Sequence, residues 1–459
     1  MESVADPDQR TRRIAYAKEL ASRLADDNVR VLALTWIDNS GITRVKTVPV
    51  DRLPDVAGWG VGMSPVFDVF LVDDSITAGR HAGGPVGDLR LYPDLHRVDA
   101  LSAQPGWAWA PVDRLTQEGE AYPMCQRSFA QRMAVAAAER EVGFRCAFEI
   151  EWYIGVIGSE GDMEPGAPGP AYGMSRLPYL ADYVPALLAA LDAQGVPVDQ
   201  FHPEYAPGQL ELSVAATDPV GAADRYVLVR ETIRAVSRAH GLRASFAPVV
   251  EAGAVGNGAH LHFSAWAQGK NLFAGGYGPH GLTDRGESIL AELVARMPAL
   301  CALTAPSVSS YLRLVPQQWA APYQCWGREN REAALRLVTG TRGSEPRAAN
   351  AELKCVDGSA NPYLVVGAVL AIALAGVDAG RPLPPEVTVD PATLPEERRP
   401  PRLPQSVLAA VDRLEEDEVL GEALGAPMLD TFATVRRAEA DLFAGEDEEE
   451  VVAATRWRY

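Results

Sequence analysis

The sequence predicts an α+β protein in two parts. Three observations lead there. The chain has 459 residues, too many for one ordinary core. Its start sets one amphipathic helix beside several short β-like runs. From residue 127 onward, strands alternate with long helices. Residues 10–27 carry Ile14, Leu20 and Leu24 among polar residues, a helical spacing. Val29 to Trp36 and Thr43 to Val50 read as strands, joined by the turn Asp38-Asn39-Ser40-Gly41. Further extended runs are expected at Val66 to Val72, Gly87 to Tyr92 and Gly106 to Pro111. Residues 1–112 thus form a small α+β domain and 113–459 a larger one. The larger part opens with a helix at 127–142 and has others at 177–195 and 217–240. The Pro-rich, charged segment 380–404 is a surface loop, followed by a helix starting near Gln405. The acidic run at 445–450 is a solvated patch.

Bulk composition removes several function classes. Hydrophobic residues make up 47% and charged residues 22%, an ordinary globular mix. No apolar run is long enough to span a bilayer, and the first twenty residues lack the apolar core of a secretory signal. A cytoplasmic location is expected, with no membrane partner. The five cysteines, Cys125, Cys146, Cys301, Cys325 and Cys355, form no CxxC pair and read as reduced thiols. A net charge of −19 repels phosphate backbones and disfavours nucleic-acid binding.

Four strand-like segments place chemically strong groups at alternate positions, hence on one face. In FRCAFEIEWYIGV, Glu149 and Glu151 lie opposite Phe148, Ile150 and Trp152. In HPEYAPGQLELSV, Glu204 precedes an Ala-Pro-Gly turn; Gln209, Glu211 and Ser213 then face away from Leu210 and Leu212. In GNGAHLHFSAW, His260, His262 and Ser264 share a face directly after a Gly-x-Gly. In ANAELKCVDGSANPYL, Glu352 and Lys354 oppose Leu353 and Cys355. Each pattern alone also fits a solvent-facing strand. Together they offer Glu149, Glu151, Glu204, Glu211, Glu352 and His260 as a converging set. A closed cluster of carboxylates repels itself, and divalent cations relieve that repulsion. Oxygen-rich sets suit Mg²⁺ or Mn²⁺, which can clamp a phosphate during its transfer. Arg313, Arg328, Arg331 and Arg336 lie between the third and fourth segments. Their guanidinium forks suit carboxylates or phosphates, although the last three also fit a helix surface paired with Glu329 and Glu332. The sequence has neither a Walker A motif nor a Rossmann fingerprint after a strand, so a nucleotide would bind in another way.

Over nearly its whole length the chain resembles the glutamine synthetase family. The likeness is carried by ExE at 149–151, EYAPGQLE at 204–211, GNGAHLH at 256–262, SSYLRLVP at 309–316, WGRENREAALR at 326–336 and ELKCVDGSANPYL at 352–364. It implies an N-terminal β-grasp domain, with GDLRLYPDL at 87–95 as the connection, and a catalytic domain built on a curved antiparallel sheet flanked by helices. It implies ATP and two or three Mg²⁺ or Mn²⁺ ions per site. Glu151, Glu204 and Glu211 match the ligands of one ion, and Glu149, His260 and Glu352 those of another. His262, Ser264 and Arg336 match nucleotide contacts. Arg313 matches the residue that holds the glutamate carboxylate, Gly256 lies in the loop lining that site, and Arg331 matches the arginine that neutralises the transferred phosphate. The implied reaction phosphorylates the γ-carboxylate of glutamate and lets an amine displace the phosphate. The resemblance also implies a homo-oligomer, a dodecamer of two hexameric rings with sites between subunits.

Departures from the family pattern fall around the amine. Where glutamine synthetases carry a glutamate after the RLVP segment, this chain has Trp319, which can bound an apolar channel or face a cation through its ring. The family's RxExR reads Asn350-Ala-Glu352-Leu-Lys354, losing one planar fork and one charge; Lys354 remains a candidate substrate contact. FxPKP reads FAPVV at 246–250, and Val255 replaces an asparagine of the glutamate loop. The tyrosine that many bacterial members adenylylate is missing from VDPATLPEERR. These changes resemble the actinobacterial members that glutamylate amines or polyamines. The expectation is a γ-glutamyl-amine ligase acting on an amine larger than ammonia. The alternatives are an ordinary glutamine synthetase, a silent regulatory paralogue, and a ligase with a different acid substrate. Asp68, Asp73 and Asp74 read as turn acids rather than amine contacts.

Overall fold

The computed structural model describes residues 4, 6–157, 163–377 and 379–459. The first residues of the segment read as lacking a secretory signal, 1–3 and 5, lie outside the described residues. The opening helix runs Pro7–Asp26, started by the Asp6 carboxylate, which accepts the Asp8 N–H. It covers a six-stranded sheet of β1 (Val31–Ile37), β2 (Thr43–Pro49), β3 (Val61–Met63), β4 (Leu89–Pro93), β5 (Asp99–Ala100) and β6 (Trp107–Leu115). The order is β2-β1-β6-β4-β3, with β1 and β6 parallel and β5 beside β6. The expected 106–111 strand therefore extends to Leu115, past residue 112.

The extended run expected at Val66 to Val72 is instead a 3₁₀ turn at Pro65–Val69. Ser64 accepts the Val66 N–H and Pro65 fixes φ at the first position, which winds the chain before it can extend. The β1–β2 turn is not a solvent tip. Asp38, Asn39 and Ser40 are buried, and Asp38 Oδ1 accepts the N–H groups of both Ser40 and Ile42. Gly41 has φ +75°, and a Cβ there would sit 1.8 Å from the Ser359 carbonyl oxygen, so the hairpin reaches the larger sheet only because this residue is glycine.

The second sheet has ten strands: β7 (Gly143–Ile157), β8 (Met163–Pro165), β9 (Val198–Pro203), β10 (Gln209–Val214), β11 (Arg243–Ser245), β12 (Ala259–Ala267), β13 (Lys270–Asn271), β14 (Trp326–Arg328), β15 (Leu335–Val338) and β16 (Asn350–Leu353). Its main order is β14-β15-β16-β12-β7-β10-β9, antiparallel except for β14 with β15. One face is apolar: Phe148, Ile150, Trp152, Leu210, Leu212, Leu261, Phe263 and Leu353 are buried. Helix Pro219–Ala239 packs there, with Tyr226 4.6 Å from Phe148 between ring centroids. Behind it, helix Pro362–Val377 is buried on almost every side against helices Gln126–Glu139 and Asp284–Thr304.

The helix expected at 177–195 is broken. A 3₁₀ segment, Met174–Leu180, contains Pro178, which cannot donate a main-chain hydrogen bond, and the α-helix begins only at Tyr183. The 445–450 acids are more than a solvated patch, since Asp447 and Glu450 form the capping box of helix Glu448–Thr455. The two sheets are tied through Arg127. It contacts Asp94 at 2.7 Å and Asp113 at 2.9 Å beside the first sheet, and Asp224 at 2.8 Å on helix Pro219–Ala239. Asp68 is fixed in a similar way, fully buried against Arg114 at 2.5 Å and Tyr122 at 3.0 Å. Asp74 pairs with Arg44 and Arg458, and Asp73 accepts from Ser75 within its turn, as the turn reading of these acids expects.

Candidate active site

The polar face of the second sheet gathers the expected acids because strand register aligns them. On adjacent strands, Arg336 stands opposite Glu352 and Glu352 opposite His262. Two residues along, His260 stands opposite Glu149 and Glu149 opposite Ser213. Beside them, Glu151 stands opposite Glu211 and Glu211 opposite His202. Side chains from six strands thus meet across neighbouring pairs, within the reach of cross-strand contacts.

Two groups have metal-ligating geometry. Glu149, His262 and Glu352 offer ligand atoms within 4.8 Å of one another, as do His202, Glu204 and Glu211. His260 belongs to the first neighbourhood as well: its Nδ1 lies 3.0 Å from Glu149 and 3.4 Å from Glu352. His262 Nε2 is 3.6 Å from Glu149 and buried without a hydrogen bond. Glu151 lies between the groups, its Oε1 3.8 Å from His260 Nε2 and its Oε2 accepting from Gln209 and from the Gly258 N–H. Sequence reasoning missed His202, although it stands on β9 two residues before Glu204, which follows the strand, and opposite Glu211. It also missed Tyr172, whose hydroxyl donates to Glu204 at 2.8 Å.

The electrostatics fit resident cations. Burial pushes the Glu211 carboxyl up to about 8, against the hydrogen bond from His202, and Glu149, Glu151 and Glu204 add to the rise. Burial and Glu151 also raise Glu204. His202 is pushed up to about 9, chiefly by its hydrogen bond to Glu211. Burial opposes ionisation of Glu149, yet the hydrogen bond from His260 and the adjacent His262 imidazole hold it well below the usual carboxylate range. Protons therefore do part of the neutralising that divalent ions would do in this donor set of oxygens and imidazoles.

The remaining candidates surround these groups. Glu352 is 1% exposed and holds Arg336 at 2.9 Å and Lys354 at 3.1 Å. The helix-surface alternative for the arginine segment is excluded: 326–338 is strand, turn and strand, and although Glu329 pairs with Arg336, Glu332 pairs with no arginine. Arg313 places Nη2 3.2 Å from both His260 Nε2 and the Lys354 carbonyl oxygen, while Nη1 is buried and has no hydrogen-bond partner among the described residues, a fork arm open to a carboxylate. The Gly-x-Gly before β12 lets this happen. A Cβ on Gly258 would lie 2.4 Å from His260 Nε2 and 2.9 Å from Arg313 Nη2, and one on Gly256 would lie 2.3 Å from the Pro248 carbonyl oxygen. Arg331 is exposed and has no hydrogen bond or ion pair among the described residues. Trp319 is exposed at the rim.

Beside Glu149 opens a cleft of about 590 Å³, lined by Arg145, His262, Ser264, Trp266, Arg347 and Asn350 among others. Its size suits a nucleotide. His262 and Ser264 line it as expected; Arg336 stands behind Glu352 instead, outside that lining. Asn350, at the place of a lost arginine, accepts through Oδ1 from His262 Nδ1 at 2.9 Å.

Residues 123–453 match the family described as "Glutamine synthetase, catalytic domain". The chain belongs to the glutamine synthetase family. Gamma-glutamylpolyamine synthetase GlnA3 of Streptomyces coelicolor is 52% identical over 464 aligned residues, covering 100% of each protein. Glutamate–methylamine ligase of Methyloversatilis universalis is 28% identical, covering 91% of this chain and 93% of that one. Among solved structures, a "novel glutamine synthase homolog" superposes with a TM-score of 0.84 at 32% identity, over 94% of this chain and 99% of that one. The α+β architecture and the family resemblance are therefore borne out, and the chain is a ligase of a family that depends on ATP and divalent metal. Among the described residues no helix is long and apolar enough to cross a membrane.

Proposed function

We propose that this glutamine synthetase family member joins the γ-carboxylate of glutamate to a polyamine or similar amine, consuming ATP and passing through γ-glutamyl phosphate. The observation that carries this reading is a contrast within one site: the acid and imidazole groups of the floor are complete, while the rim has Trp319 in place of the family's glutamate. The full-length likeness to a gamma-glutamylpolyamine synthetase points the same way.

Each residue has a part in that reaction. Glu149, His260, His262 and Glu352 would hold one Mg²⁺ or Mn²⁺, and Glu151, Glu204, Glu211 and His202 another. Such ions neutralise phosphate charge and polarise the transferred group. Arg313 fixes the α-carboxylate of glutamate with its free fork arm, with Gly256 lining the same pocket. His262 and Ser264 face the nucleotide cleft. Arg336 keeps Glu352 oriented, and Lys354 lies on its other oxygen, next to Arg313. Arg331, exposed and without a partner among the described residues, would close over the phosphate as it transfers. Residues 1–112 serve as a β-grasp domain and 113–459 as the catalytic domain, and a dodecamer of two hexameric rings would bring neighbouring subunits to each site. Five buried, unbridged cysteines fit a reducing cytoplasm.

Phosphate release from Mg-ATP and glutamate, measured across ammonium, ethanolamine, putrescine, spermidine and spermine, tests the proposal. Turnover is expected with at least one polyamine and little with ammonium. Equal rates with ammonium would restore ordinary glutamine synthetase, and silence across the panel would remove this acid and amine pairing.

A further inference from the structure

We propose that Glu332 receives the ammonium end of the amine substrate, supplying from a different segment the negative charge that position 319 lacks. The inference rests on the amine-ligase reading above and names the residue that selects the amine. Trp319 lies at the rim with its ring 57% exposed. Its main chain is left-handed, φ +54°, as are Gln317 at +64° and Ala321 at +55°. Non-glycine residues adopt this region at a cost, so something must fasten the loop. The fastening is Glu332, whose Oε1 accepts the Trp319 N–H at 2.9 Å.

The other oxygen of Glu332 has no such use. The residue is only 7% exposed, and Oε2 is buried without a hydrogen bond among the described residues. No arginine, lysine or histidine lies within ion-pair distance of it there. A buried carboxylate oxygen left without a donor is costly, and a ligand or ion that completes it is one way folded proteins retain one. Burial raises the Glu332 pKa against the Trp319 N–H, and Asp390 raises it further. Asp390 meets the same loop through Gln317 Nε2 at 3.4 Å, so the loop is flanked by two acids. The field of Lys354 reaches Glu332, but its ammonium is bonded to Glu352.

Position decides which substrate this is. The Ala334 carbonyl accepts the Lys354 N–H at 3.0 Å, which seats Glu332 beside the end of β16. Arg313 bonds the Lys354 carbonyl from the same side. Glu332 is absent from the lining of the nucleotide cleft. The unpaired oxygen therefore belongs to the glutamate and amine end of the site. The bound species is a primary ammonium; the exposed Trp319 side chain, on the loop that Glu332 fastens, offers an aromatic face to the following methylenes or to a second ammonium.

The test is Glu332→Gln, which keeps an acceptor for the Trp319 N–H and removes the charge. Phosphate release with glutamate and Mg-ATP is measured against spermidine and against hydroxylamine, which is uncharged at neutral pH. KM for spermidine is expected to rise about 10–100-fold, the loss of one charge-assisted hydrogen bond. The hydroxylamine rate and the Tm should stay near wild type. An unchanged KM for spermidine overturns the inference, as does an equal loss with hydroxylamine, which would make Glu332 a loop fastener only. If E332Q does not fold, Glu332→Asp carries the test: charge kept, reach shortened, and KM for spermidine alone raised. Wild-type enzyme active with no cationic amine would overturn the proposed function and this inference together, whereas an active wild type with an indifferent variant would overturn the inference alone.

Discussion

On the floor of the site, charged groups are paired by strand register. Glu352 sits between Arg336 and Lys354, Glu149 accepts from His260 beside His262, and Glu211 holds His202. On the rim, Trp319 and Arg331 stand in solvent, three residues of the 317–321 loop are left-handed, and Glu332 keeps a buried oxygen without a donor. The floor is regular sheet, where moving one side chain disturbs its neighbours on both strands. The rim is irregular, and each residue can be exchanged with little effect on the next. Phosphoryl chemistry is thus fixed where change is costly, and amine selection lies where change is easy.

The strongest way to break this contrast is to strike the floor. Glu352→Gln should lower kcat at least about 100-fold with every amine, because a ligand and the anchor of Arg336 and Lys354 change together. Phosphate release across the amine panel checks it; a loss confined to one amine would erase the distinction between floor and rim. Next is Gly258→Ala. Its Cβ would lie 2.4 Å from His260 Nε2 and 2.9 Å from Arg313 Nη2. Displacing both should cost about 10–100-fold in kcat/KM for glutamate.

At the rim, Trp319→Ala should leave Tm and the KM for ATP unchanged. It should raise the KM for spermidine about 2–5-fold, the scale of an exposed cation–π contact. The smallest effect sharpens the comparison through pH. Glu211 and His202 sit at about 8 and about 9, above their ordinary 4.5 and 6.5, so the folded chain holds these protons more tightly than the unfolded one. Stability contributed by these protons is complete below the ordinary 4.5 and is lost progressively until pH passes the raised values of about 8 and about 9. The Tm of metal-free protein should therefore fall between about pH 5 and 9, and added Mg²⁺ should remove most of the fall. A metal-independent Tm would mean that no cation takes the protons' place.

Much of the floor was legible because alternation is a local signal. Placing Glu149, Glu211, His260 and Glu352 each on the polar face of its strand needs only a few neighbouring residues. Which strand lies beside which is not local: Glu149 and His260 are opposed across more than a hundred residues of chain, and shared chemistry suggested that they converge without giving that register. His202 was passed over because attention fell on the acids of its segment. The arginine segment allowed a helical reading because Glu and Arg spaced by three or four residues also suit a helix. Packing decides otherwise, since a Cβ on Gly327 would lie 2.4 Å from the Val387 carbonyl oxygen. Glu332 was unreadable for the same reason: its role depends on a loop conformation that no short-range pattern encodes.

The Arg127 junction has a mechanical meaning. One guanidinium grips carboxylates of the first sheet and of the helix packed on the second, so neither layer can swing without tearing the same buried contacts. The two layers should behave as one cooperative block. Deuterium uptake by slow amides in β6 and in helix Pro219–Ala239 would then proceed through a shared opening event, and Arg127→Met would split that event into two.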